Sequence, residues 1–282
     1  MSETQAPNAA QIDYWNTTAG AVWAQFQEQL DRQIEPLGLE AMRALQPTPG
    51  ERMIDIGCGC GQSTAELAAR VGPSGAVVGI DISEPMLDVA RGRATPGAAA
   101  RPDFRQADAQ TDDLGHGAFD AAFSRFGVMF FADPVAAFAN IRRALKPGGR
   151  LGFVCWRPLF ENPWMLEPMQ AALPFLPPPP PMDPTAPGPF AFADAERVRG
   201  ILAGAGFSAI QIEPFDTRIG GSSVEQTLTL AFRVGPLGAA LREHPELAEQ
   251  VAEAVRARLA PYDTPGGVLM PAATWIVQAR NG

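Results

Sequence analysis

Three glycines at alternate positions, Gly57, Gly59 and Gly61, stand just after an acid, Asp55, in MIDIGCGCGQST. Glycines so placed allow unusual backbone angles and let a ligand touch the main chain. They also serve in any tight turn from strand to helix. Two further acids follow segments that read as strands. Asp81 closes VVGID about twenty residues on, a position from which a carboxylate can accept both hydroxyls of a ribose. Asp108 closes FRQAD, where it can accept from an adenine amino group while the backbone at Ala109 reads the ring edge. Taken singly, Asp81 also reads as a helix cap and Asp108 as a turn aspartate. Together the three sites describe a pocket for a nucleoside-containing molecule.

Such a pocket needs a parallel sheet to hold it. ERMIDIG, AVVGIDIS, PDFRQADAQ, AFDAAFSRFG and RLGFVCW read as strands, and helices such as QSTAELAARVG and DPVAAFANIRRAL lie between them. Strands and helices in alternation predict a parallel sheet covered on both faces. Asp133 is a candidate N-cap with Pro134 in the first turn, and KPGG reads as a turn before the fifth strand. Ahead of this core, residues 11–46 predict two helices, with a weak point at Gly20 and the second helix starting near 36. After it come a helix in DAERVRGILAGAGF, a sixth strand in SAIQIEPF and a helical stretch in pieces split near Gly235 and His244. TWIVQAR is the final strand. The organisation expected is a helical cap at 1–48, a ligand-binding core at 49–156, a Pro-rich region at 157–192 and a C-terminal half at 193–282. A helical insertion at about 222–262 falls within that last part and is expected to offer a further wall whose shape sets specificity.

Composition narrows the class. The chain has 282 residues, 46% of them hydrophobic, and a formal charge of −9. No basic run offers a nucleic-acid surface, no segment suits a membrane span, and the start MSETQAPNAAQ lacks the pattern of a secretory leader. Three cysteines suit a reducing cytoplasm. Cys58 and Cys60 occupy variable positions of the glycine loop, and the two histidines, His116 and His244, lack metal-ligand spacing, so no metal is expected. Nine of the 28 prolines fall between Pro174 and Pro189. Phe175, Met182, Phe190 and Phe192 are interleaved with or flank them, which favours a semi-rigid lid over a plain linker or partner-binding tract.

The five segments MIDIGCGCGQST, VVGIDISEPML, FRQADAQ, FDAAFSRFGVMFFADP and LKPGGRLGF, in that order, resemble the class I S-adenosylmethionine-dependent methyltransferases. The resemblance spans roughly residues 50–156. It implies a Rossmann-like, seven-stranded, mostly parallel sheet with an antiparallel last strand. It implies that Asp55 and the backbone of Gly57, Gly59 and Gly61 hold the methionine part of S-adenosyl-L-methionine, and that Asp81 holds the ribose. Ile82 and Met86 are then expected on the adenine, Asp108 and Ala109 at its polar edge, and Ser124 and Arg125 beside the amino-acid end. In many such proteins an N-terminal helix covers the site; Tyr14, Trp15 and Trp23 are the residues available here for that or for the core.

The acceptor is expected where the fourth and fifth strands end, among Phe126, Phe130, Phe131, Trp156 and Trp164, and to be a small apolar or aromatic molecule. Whether oxygen, nitrogen or carbon is methylated stays open. No general base stands out among His244, Tyr14, Tyr262 and Glu161, and the N-terminal helices offer a possible homodimer contact. A dinucleotide-dependent oxidoreductase shares the glycine loop and distant acid, but its spacing is G-x-G-x-x-G and it leaves SRFG and KPGG unexplained. An inactive methyltransferase-like module that recruits a partner through its Pro-rich segment is the remaining alternative.

Overall fold

The computed structural model describes residues 7–93, 102–178 and 183–282, which leaves Met182 of the expected lid outside the described residues. Its centre is the expected alternation. Strand β1 (Arg52–Ile56) leads into helix α4 (Gln62–Val71), β2 (Ala76–Asp81) into α5 (Glu84–Arg93), and β3 (Asp103–Gln106) is followed by β4 (Phe119–Arg125). Helix α6 (Pro134–Ala144) then runs into β5 (Leu145–Trp156). The β1 and β4 side chains are buried nearly without interruption, as strands covered on both faces require. Asp133 caps α6, its carboxylate accepting from the Ala136 N–H at 3.0 Å.

The sheet runs β3-β2-β1-β4-β5-β8-β6. Here β6 is Ser208–Ser222 and β8 is Gly267–Arg280, the latter antiparallel to both its neighbours. An eighth strand, the two-residue β7 (Asp263–Thr264), forms a small hairpin with the start of β8. The strand order reverses between β1 and β4. At such a switch point the loops beyond the strand ends diverge and leave a crevice for a ligand.

Four local expectations change. The N-terminal region makes three helices, α1 (Ala9–Thr17), α2 (Ala19–Gln25) and α3 (Gln27–Leu45). Gly20 lies inside α2, where a Cβ would come within 2.1 Å of the Trp15 carbonyl; it permits the crossing of α1 and α2 rather than breaking a helix. Helix α3 starts nine residues before 36 and carries Pro36 in its interior. Pro36 and Arg32 are both exposed, so the carbonyl that loses its partner faces water. KPGG lies within β5, as a bulge between the Phe119–Leu145 and Ala121–Arg150 pairings. One layer of the core stacks Phe138 on Phe153 and Phe192 at 5.5 and 6.0 Å.

The insertion is α9 (Val224–Ala231), α10 (Gly235–Glu243) and α11 (Ala248–Leu259). It does not join the main core. Leu228, Leu237, Leu241, Val251, Val255 and Leu259 close on Ala172 of α7 (Pro163–Ala172) to form a second one. A Ser223–Gln226 capping box starts α9, which fixes its first turn.

Candidate active site

A cavity of about 410 Å³ opens at the switch point. Its walls come from the ends of β1, β2, β4 and β5, the loop after β3, the faces of α1–α3, and α7, α9 and α10.

The glycine loop is shaped mainly by the protein itself. Gly57, Gly59 and Gly61 all have positive φ, at +66°, +53° and +82°. A Cβ on Gly57 would lie 2.7 Å from the Gly127 Cα. One on Gly59 would meet the Met86 Cε at 2.8 Å, and one on Gly61 the Ala90 Cβ at 2.8 Å. The two loops at the switch point therefore touch backbone to backbone. Cys58 and Cys60 are buried here; desolvation holds the Cys58 thiol well above its ordinary value and pushes Cys60 up to about 12, so neither is a thiolate nucleophile.

Asp81 is the most connected acid at the cavity wall. One carboxylate oxygen accepts the Gly59 N–H and the other the Ser83 N–H, both at 2.8 Å. Each oxygen keeps a lone pair for a hydroxyl. Burial raises the Asp81 pKa, and the backbone donors of Ser83, Gly59 and Ile82 oppose that rise. Ile82 and Met86 flank it on the same wall. Asp108 accepts from Gln110 N–H at 2.9 Å and from Asn8 at 3.4 Å, while the Ala109 carbonyl accepts from Asn140 at 2.8 Å. This polar edge is thus braced from the N-terminal segment as well as from α6.

Of the thirteen residues expected around the cofactor, Gly57, Gly59, Asp81, Ile82, Met86, Asp108, Ala109, Arg125, Tyr14 and Trp23 line the cavity. Asp55, Gly61 and Ser124 do not. Ser124 is fully buried and donates to the Ile56 carbonyl at 2.7 Å while accepting the Gly127 N–H at 3.2 Å, tying β4 to β1. Gly61 sits behind the loop as the start of α4. Asp55 is fully buried beneath the loop and takes the hydroxyls of Ser63 and Thr64 on one oxygen, both at 2.7 Å. Its other oxygen has no hydrogen-bond partner among the described residues. Burial lifts its pKa from 3.8 to about 6 against the pull of those two hydroxyls and of Arg125.

A carboxyl whose pKa is higher folded than unfolded stabilises the fold most below its unfolded value. That contribution is lost as pH rises through the folded value. Stability relative to Asp55→Asn is therefore expected to fall between about pH 4 and pH 6, by on the order of 3 kcal/mol. Urea denaturation of both proteins across that range measures it, and parallel profiles would show that the carboxyl ionises normally.

A polar cluster on α3 was not among the expected site residues. Asp31, buried at the cavity wall, bridges Arg125 at 3.0 Å and Arg93 at 2.7 Å. Arg125 also donates to Gln62, which in turn donates to Glu35 at 2.9 Å. Gly38 leaves room for the arginine; a Cβ there would come within 2.8 Å of its Cδ. The available signal was that Asp31 falls in phase with Leu30, Ile34, Leu37 and Ala41, an acid within a buried stripe. The N-terminal cover is likewise bonded to the site. Asn16 donates to the Ile82 carbonyl at 2.9 Å and accepts the Glu84 N–H at 3.0 Å, and Ser83 donates to the Trp15 carbonyl at 2.9 Å.

The Pro-rich tract contributes less than expected. Pro189 lines the cavity, but Phe192 is in the core, Phe190 packs against it and Phe175 is exposed. A further wall comes from α7, α9 and α10, the last two within the helical insertion. Among the four residues weighed as bases, only Tyr14 reaches the cavity; His244 pairs with Glu246 at 3.4 Å and Glu161 with Arg157. No three His, Cys, Asp or Glu side chains converge among the described residues.

The strand order, the glycine loop at the switch point and the acids beyond β2 and β3 define a class I methyltransferase domain. Residues 53–149 match the methyltransferase domain family. Aklanonic acid methyltransferase DauC of Streptomyces sp. (strain C5) is 34% identical over 143 residues, which is 51% of this chain and 60% of that protein. The match therefore spans less than two thirds of that relative. Among solved structures, YcgJ of Bacillus subtilis superposes with a TM-score of 0.58 at 16% identity, over 87% of this chain and 97% of that one. Phosphoethanolamine N-methyltransferase 2 of Haemonchus contortus, solved with S-adenosyl-L-methionine, gives 0.53 at 19% identity over 87% and 52%. At these identities the two structures establish the fold.

Proposed function

We propose that this protein is a methyltransferase that takes its methyl group from S-adenosyl-L-methionine and transfers it to a small apolar or aromatic acceptor. The observation that carries this reading is the division of one cavity into two chemically different halves. The half at β1–β3 carries Asp81 with its free lone pairs, the apolar Ile82 and Met86, the Asp108 edge, and the Asp31–Arg125 pair. That set fits a ribose, a flat ring and a zwitterionic amino-acid end, in that order. The half beyond β4 and β5 is apolar, with Phe126 stacked on Trp156 at 4.2 Å and Trp164 beside it at 4.8 Å.

When bound, the cofactor supplies an electrophilic methyl already activated by its sulfonium charge. The chain's own work is then alignment and exclusion of water. Asp81 fixes the nucleoside, and Asp31 and Arg125 fix the other end. The helices α1–α3 and the insertion cover the reacting region. Aromatic faces at Phe126 and Trp156 favour both a cationic methyl donor and a planar acceptor.

Saturating S-adenosylhomocysteine is expected to add about 2.7 kcal/mol of stability at a hundred times its dissociation constant, and NAD none. Thermal unfolding with each ligand decides this; a shift with NAD alone would return the protein to the oxidoreductases. Methyl transfer from labelled cofactor into extractable small molecules then tests the acceptor class. A second reading, recruitment of a partner through the Pro-rich segment, is supported by the exposure of Leu173 and Phe175 beside it. It predicts a partner lost on deletion of residues 174–189 and no methyl transfer to lose.

A further inference from the structure

One polar side chain in the cavity has no work to do within the protein. Gln27 begins α3 and lines the cavity, and its Oε1 is buried with no hydrogen-bond partner among the described residues. An unpaired buried amide oxygen is costly and usually marks a group waiting for a partner. Because no neighbour fixes the orientation of the amide, it can present either its oxygen or its NH₂ to a ligand.

Helix α3, which carries it, touches both halves. Asp31, one helical turn further along α3, holds Arg125 at the amino-acid end of the cofactor half. On the other side, Gln29 of the same helix donates to the Gln226 carbonyl of α9 at 3.0 Å. The next residue, Thr227, faces the cavity. From Phe126 onward in the chain, every residue lining the cavity is apolar or glycine except Thr227. An ionised acceptor would lose its hydration there without finding a counter-charge. The stacked rings of Phe126 and Trp156 suit a flat molecule.

Building on the methyltransferase reading, we propose that Gln27 selects and orients the acceptor. The acceptor is an uncharged planar molecule that presents one hydrogen-bonding group to the Gln27 amide. This adds a specificity residue and a charge state to the substrate class.

Equilibrium dialysis at neutral pH with β-naphthol and with naphthalene tests it, on the full chain with and without S-adenosylhomocysteine. Wild type is expected to bind β-naphthol roughly tenfold more tightly than naphthalene, about the value of one buried hydrogen bond. Gln27→Leu and Gln27→Met are expected to erase that preference by weakening β-naphthol alone and to leave S-adenosylhomocysteine binding unchanged. Equal loss of both ligands, or an unaltered preference, would overturn the assignment. So would weakened S-adenosylhomocysteine binding in both variants, which would move Gln27 to the cofactor half. Failure of wild type to bind either ring compound would overturn the acceptor class. Failure to bind S-adenosylhomocysteine would instead remove the methyltransferase reading, and the comparison of the two ring compounds without it would still judge Gln27.

Discussion

Asp81→Ala is expected to abolish the thermal shift produced by S-adenosylhomocysteine, with affinity reduced by two orders of magnitude or more. In the proposed site, two charge-assisted hydrogen bonds to ribose hydroxyls are at stake, each worth roughly 1.5–3 kcal/mol. The same carboxylate also holds the Gly59 and Ser83 N–H groups. Its removal therefore loosens the glycine loop and the start of α5 as well as the ligand. Asp81→Asn separates the two effects. It keeps one acceptor oxygen for one backbone N–H, loses the charge, and turns a donor toward the other N–H. Calorimetric titration of both variants is the measurement. The alanine variant is expected to lose more affinity and also some stability without ligand. Wild-type affinity in either variant would exclude Asp81 from the ribose site.

Gly57→Ala is expected to destabilise the fold by about 2–5 kcal/mol. A left-handed backbone costs an alanine roughly 1–2 kcal/mol, and forcing a methyl into a closed contact costs about 1–3 more. The contact is the Gly127 backbone at 2.7 Å, which has no rotamer to give way with. Gly117 provides the control. Its φ of +57° lies close to the +66° of Gly57, yet a Cβ there meets nothing within 4 Å. Gly117→Ala therefore carries the cost of a positive φ without the contact. Urea midpoints of the two variants should differ by the steric part. Equal losses would mean that the two loops can part without cost, and that the switch point is softer than this packing implies.

Much of this protein was legible in one dimension. The alternation of apolar runs with helical segments fixed the parallel core, because a strand covered on both faces must be apolar throughout. The acids at the ends of the first three strands announced themselves by type and position, Asp55 within β1, Asp81 as the last residue of β2 and Asp108 two residues past β3. Asp133 and Pro134 marked the start of α6 by local chemistry alone. What tertiary structure decided were matters of distance between segments far apart in the chain. The alternate glycines were read as clearance for a ligand, but Gly57 is required by Gly127, seventy residues on. Gly20 looked like a helix breaker because nothing local revealed that α1 and α2 cross there. Asp55 and Ser124 belong to the cofactor motifs by position, yet both serve beneath or behind the cavity wall, which depends on how strands pack rather than on what each contains. Asp31 and Arg125 are 94 residues apart, and only the docking of α3 on the strand ends makes them a pair. The far wall of the cavity comes from α7, α9 and α10. Those helices bury a common apolar core against one another, and only that pairing of segments distant in the chain sets where the wall stands.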